Sequence, residues 1–118
     1  MTGAHSRRKG IRWELEVVHL FERVFGEGKV RRGLQYRSGA ECADVIVPAL
    51  HIEAKRGRRT NPRAALVQAI EASKGKGLWP VAVCKDDHAE PFIAMRLSDF
   101  VLLLQEWWSN RPTAPPAE

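Results

Sequence analysis

At 118 residues the chain is long enough for one domain with a real core and too short for two. Its formal charge of +5 and pI near 9.7 favour a polyanionic partner, nucleic acid above all. No apolar stretch reaches the length of a membrane span, Met1 to Gly10 is basic without the apolar segment of a secretory signal, and Cys42 and Cys84 stand far apart without metal-ligand spacing. Membrane, disulfide-framework and zinc classes therefore fall away, and a reducing cytoplasm fits.

His5 to Lys9 reads as a basic arm mobile at its tip, with residues 1–9 preceding the folded part. A helix is expected from about Gly10 to Phe25. On a wheel of about 100° per residue, Trp13, Val17, Val18, Leu20, Phe21, Val24 and Phe25 share one apolar arc. Glu14 falls inside that arc, whereas Glu16 and Arg23 lie opposite and Glu16 reads as a solvated charge. A carboxylate on a core-facing stripe is costly unless paired or metal-bound, so Glu14 is a candidate for a site or for an ion pair with an arginine. Gly26-Glu27-Gly28 ends the helix. Val30 to Arg37 has strand character with basic residues interleaved, and residues 38–43 form a small-residue loop suited to close approach of a ligand.

The stretch Asp44 to Lys55 reads as two short strands joined by a tight turn. Val45, Ile46 and Val47 favour a strand, and Pro48 ends it because it has no N–H for a ladder. From His51 to Lys55, alternation puts Glu53 and Lys55 on one face and Ile52 and Ala54 on the other. On its turn position alone, His51 is expected to be solvated. Arg56-Gly57-Arg58-Arg59-Thr60 is a basic loop, and Asn61-Pro62 has the pattern of an N-cap with proline at the first helical position. A helix from Pro62 to about Lys74 follows, packing through Ala65, Leu66, Ala69 and Ile70, with Gln68 on its surface, and Gly75 to Gly77 stops it. Pro80 to Cys84 is an apolar run of the kind found in central strands. Asp86-Asp87-His88 is a turn, Pro91 to Met95 a strand, and Ser98 a cap for a last helix over Asp99 to Trp108. Residues 1–110 form one domain, and 111–118 are expected to be a disordered tail. The order predicts an α/β sandwich around a mixed sheet. The strand at Val81 should run parallel to the one holding Glu53, since a helix links them.

Chemistry concentrates on Glu14, Asp44, Glu53 and Lys55. Like-charged carboxylates held close persist only if a cation or a proton relieves the repulsion. Hard oxygen ligands suit Mg²⁺, with Mn²⁺ possible. Such an ion would polarise a phosphodiester and acidify a bound water, while Lys55 could orient that water or stabilise developing charge. Basic residues from Lys29 to Arg63 bracket these acids in sequence, as phosphate contacts around a metal site would. No Ser/His/Asp or Cys/His set suggests covalent catalysis.

The ordered set Glu14, Asp44 and Glu53-x-Lys55 resembles the PD-(D/E)XK nuclease superfamily. Within it the chain resembles the archaeal-type Holliday junction resolvases. Arg8-Lys9-Gly10 with Glu14 resembles their opening motif, Arg37-Ser38-Gly39 before Asp44 their Arg-Ser loop, and Ile52-Glu53-Ala54-Lys55 their Ile-Glu-Val-Lys strand. Gly77 to Lys85 resembles their later glycine-proline strand. The short turn at Pro48-Ala49-Leu50 and the Cys42 loop depart from the pattern.

The resemblance implies a restriction-endonuclease-like core, with a mixed central β-sheet flanked by helices. It implies a Mg²⁺-dependent endodeoxyribonuclease that cuts four-way junctions by water attack, with Glu14, Asp44, Glu53 and Lys55 catalytic and the three acids as metal ligands. DNA would be held by Arg8, Lys9, Arg32, Arg37, Ser38, Arg56, Arg58, Arg59, Arg63 and Lys85. Branched DNA and a second copy of the chain are the implied partners, in the cytoplasm of a prokaryotic or phage setting. The remaining readings are a nuclease of the same fold acting on other branched, single-stranded or terminal DNA, and a non-catalytic nucleic-acid-binding relative. The last helix bears on the second copy: Phe100, Val101, Leu102, Leu103, Leu104, Trp107 and Trp108 surround most of it, more than one domain face can cover.

Overall fold

The computed structural model describes residues 3–33 and 43–112. Helix α1 spans Gly3–Phe25. It begins well before Gly10, so the expected basic arm forms its first turns. Arg7, Arg8 and Lys9 are good helix formers, and a single interior glycine costs only about 1 kcal/mol. Gly26 closes the helix with φ 92° and donates its N–H to the Glu22 carbonyl at 2.8 Å, a conformation that suits glycine. Two short strands, β1 (Arg31–Arg32) and β2 (Val45–Ile46), precede the long strand β3 (Leu50–Gly57). Helix α2 (Pro62–Ser73), strands β4 (Trp79–Asp86) and β5 (Phe92–Met95), and helix α3 (Leu97–Asn110) complete the chain order.

The five strands form one mixed sheet in the order β1-β2-β3-β4-β5. Only β3 and β4 run parallel, paired from Leu50↔Trp79 to Gly57↔Asp86, with α2 as the link expected from the sequence. The Asn61 side chain caps α2 by accepting from the Ala64 N–H at 3.0 Å.

The main core lies between α1 and one face of the sheet. Trp13, Val17 and Val18 meet Val45, Ile52, Ala54, Val81 and Val83 there. On the other face Ala65 of α2 packs against Ala82 and Cys84, flanked by Leu66 and Ala94. Leu20 and Val24 of the predicted apolar arc are exposed, lining a shallow apolar groove of about 390 Å³ with Phe92 and Ile93 of the edge strand β5.

Helix α3 departs from the sequence expectation at its start. It starts at Leu97, with Arg96 as the N-cap residue in place of Ser98, and Arg96 Nε donates to Asp99 Oδ2 at 2.9 Å. Asp99 is its buried residue, whereas Phe100, Val101, Leu102, Leu104, Trp107 and Trp108 are exposed. Arg111 stacks its guanidinium 3.7 Å from the Trp108 ring centre. The part of the predicted tail beyond Pro112 lies outside the described residues.

Trp13 is 1% exposed and its Nε1–H donates to the Val83 carbonyl at 3.2 Å, tying α1 to β4. Trp13→Ala should cost about 3–5 kcal/mol, the range for emptying a large aromatic site. Trp13→Phe should cost less but more than zero, because the Val83 carbonyl loses its donor. Denaturant unfolding of both variants measures the two contributions.

Candidate active site

Ile52 and Ala54 point into the core beneath α1. Alternation along β3 therefore turns His51, Glu53 and Lys55 to the opposite face, the one α2 covers. Glu53 lies there beside Ala82, and Lys55 beside Cys84, in the parallel register. Val45 pairs with Ile52, which brings Asp44 level with this part of β3, and the Ala54 N–H donates to Asp44 Oδ2 at 2.8 Å.

Asp44, His51 and Glu53 are all buried, Glu53 completely. Glu53 Oε1 lies 3.3 Å from His51 Nε2, within reach of a ring N–H. Lys55 Nζ is 3.9 Å from Glu53 Oε2, and that oxygen is buried with no hydrogen-bond partner among the described residues. Burial pushes the Asp44 carboxyl up to about 8, helped by a hydrogen bond with Glu53 and the Glu53 charge and opposed by the Ala54 N–H and Lys55. In the metal-free protein one proton thus relieves the repulsion between the two carboxyls below that pH. Two buried acids that repel, with one Glu53 oxygen lacking a hydrogen bond among the described residues, suit a hard divalent cation.

His51 corrects the sequence expectation. It is 2% exposed, because β3 begins at Leu50 and His51 is already in the strand. Glu14 does not join the pair. Its Oε1 accepts from Arg32 Nε at 2.9 Å, on the side of the sheet that α1 covers. Among the described residues, no three His, Cys, Asp or Glu side chains assemble as a metal-holding group. The helical wheel put Glu14 on the right face of α1, but that face covers the sheet surface opposite Glu53.

The predicted phosphate contacts separate into groups. Arg8, Lys9, Arg56 and Lys85 line one cleft of about 330 Å³, together with Arg12 and Glu16. Lys9 Nζ is 2.7 Å from Asp87 Oδ1, and Arg56 reaches the same oxygen at 3.7 Å. The Lys9 bond, first among several effects, holds the Asp87 carboxyl below its usual range. Arg58 and Arg59 are exposed in the turn after β3, and Arg63 is exposed at the start of α2. That turn is fastened by Thr60, whose N–H and hydroxyl donate to Asp86 at 2.7 and 2.6 Å. Arg32 is engaged with Glu14, Gln68 is exposed as expected, and Arg37 and Ser38 lie outside the described residues.

Two residues escaped sequence reasoning. Applying the alternation to His51 itself, the first residue of the alternating stretch, puts it on the Glu53 face. Arg12 stands four residues after Arg8 on α1, the spacing that puts both on one side of a helix. No family model, curated protein or solved structure matches the chain.

The raised Asp44 carboxyl carries a pH dependence with a definite sign. Between its ordinary value of 3.8 and about 8 the folded protein holds a proton that the unfolded chain has released. This contribution to stability is full below pH 3.8 and is lost as pH rises through about 8. In chelator, Asp44→Asn should remove that part of the slope. Guanidinium unfolding at several pH values checks it, and an identical slope in both proteins would count against the shared proton.

Proposed function

We propose that the chain is a metal-dependent endodeoxyribonuclease of the PD-(D/E)XK superfamily, with a restriction-endonuclease-like core, that cuts four-way DNA junctions. The observation that carries this reading is the buried Asp44–Glu53 pair, with Lys55 beside a Glu53 oxygen that has no hydrogen bond among the described residues. Asp44 and Glu53 would hold Mg²⁺, with Mn²⁺ as a substitute. When bound, the ion supplies polarisation of the phosphodiester and a more acidic water.

The chain's own residues do the rest. The Ala54 N–H fixes Asp44, and His51 holds one Glu53 oxygen, so the other faces Lys55. Lys55, 39% exposed, lies between buried acid and solvent, where it can orient a water or stabilise charge on the phosphorus oxygens. The exposed Arg58, Arg59 and Arg63 supply phosphate contacts around the acids. A nuclease of this kind works in the cytoplasm, in a prokaryotic or phage setting.

Asp44→Asn and Glu53→Gln should each abolish Mg²⁺-dependent cleavage of a synthetic four-way junction. Both should retain junction binding in EDTA, because affinity comes from the cations. Retained cleavage in either variant would sink the proposed site, and equal cutting of a matched linear duplex would remove the junction preference.

Paired incision of a two-fold junction needs two active sites, which a symmetric homodimer supplies. The exposed apolar residues of α3 support that assembly, being more than an isolated small domain usually leaves to water. Light scattering should give the mass of two chains for the unmodified protein and of one for Trp107→Glu/Trp108→Glu. A one-chain mass for the unmodified protein, with junction cleavage intact, rules the dimer out.

A further inference from the structure

The cleft lined by Arg8, Lys9, Arg12, Glu16, Arg56 and Lys85 is on the other side of the sheet from the Asp44–Glu53 pair. Arg56 and Lys85 are register partners on β3 and β4. By alternation they share the face of Ala54 and Val83, which α1 covers. Lys55 and Arg56 are consecutive and point to opposite faces, so cations stand on both sides of the sheet at the C-terminal end of its parallel pair. In open α/β sheets that end is the usual place for ligands.

Several features mark the cleft as more than a solvated charged face. Arg8 and Arg12 are like charges four residues apart on one helix, an arrangement that weakens an isolated helix. Among the described residues five cations line the cleft against one carboxylate, Glu16, with Asp87 beside it. Three of the cations are already held in place. Asp87 engages Lys9 and Arg56, and Lys85 Nζ donates to the Ala89 carbonyl at 2.8 Å. A preorganised cationic cleft loses little side-chain freedom when an anion enters. Arginine forks match phosphate oxygens, and among the described residues the lining has no aromatic ring on which a base could stack.

We propose that this cleft is a second phosphate-binding site, which grips the backbone of a nucleic-acid strand whose path turns around the C-terminal end of β3. The proposal deepens the nuclease reading and rests on it for the identity of the strand. A straight duplex lying along one face meets one set of cations. A branched or sharply bent substrate can reach both faces, and that difference supplies the discrimination.

The test is fluorescence anisotropy in EDTA, with a four-way junction and a linear duplex of matched sequence, for the wild type, Arg8→Ala/Arg12→Ala, Glu16→Gln and Arg23→Ala. The double variant should weaken junction binding by at least about tenfold, the scale of one charged hydrogen bond. It should also reduce the salt slope by roughly two. Linear duplex should lose much less. Glu16→Gln should tighten junction binding by removing the one acid of the lining, and Arg23→Ala, exposed near the other end of α1, should change nothing.

Unchanged junction affinity and slope in the double variant overturns the site, and equal loss on junction and linear duplex overturns the turning path. Inorganic pyrophosphate binding that the double variant abolishes, with junction affinity intact, would assign the cleft to a free phosphate ligand and overturn the strand proposal. Because no metal is present, these outcomes are independent of cleavage. If Asp44→Asn still cuts while the double variant loses junction binding, the carboxylate site fails and the cleft stands.

Discussion

Two buried carboxyls sharing one small space are the constraint on which the rest of this structure depends. Asp44 and Glu53 could each be solvated cheaply elsewhere. Here Asp44 is pinned by the Ala54 N–H, Glu53 is buried, and among the described residues a proton, that N–H, His51 and the more distant Lys55 offset the repulsion. A fold selected for stability alone would place apolar residues at these positions, since replacing buried charge with well-packed hydrocarbon is often neutral or better. On the proposed nuclease reading, retaining the pair is a cost accepted for chemistry.

The mixed sheet keeps that chemistry separate from the main core. Alternation on β3 sends Ile52 and Ala54 to α1 and Glu53 and Lys55 to α2, so one strand serves packing on one side and polar function on the other. Small side chains make this feasible. Ala65, Ala69 and Ala82 let α2 lie close over the sheet, and the α2 face is thin where the α1 face is filled by Trp13 and valines.

Much of this was legible in the sequence. The α/β order, the hairpin at Pro48, the Asn61-Pro62 cap and the parallel β3–β4 pairing all follow from local patterns. So does the placement of Asp44, Glu53 and Lys55 together, because the period of a strand is strict and the turn is short. What was not legible depended on which sheet face a helix covers. A wheel gives the buried side of α1 but not the strand surface beneath it, so Glu14 was grouped with acids on the opposite face. For His51 the nearby turn suggests solvent, while its place in the strand alternation sets its buried face. The helical start at Gly3 was missed because the apolar stripe begins later, and charged helix formers leave no periodic signal.

The parallel pairing of β3 and β4 also bears on the order of folding. Asp44 and Ala54 are ten residues apart in a hairpin, and such local contacts close within microseconds. Leu50 and Trp79 are register partners across the whole α2 segment, so that pairing must wait for a long loop to close. The two carboxyls are therefore drawn near one another early, while water still reaches them, and are sealed in only when α2 and β4 dock. The electrostatic penalty therefore falls on the docking of this layer rather than on formation of the hairpin, which makes docking the more sensitive of the two to the ionic state of the pair.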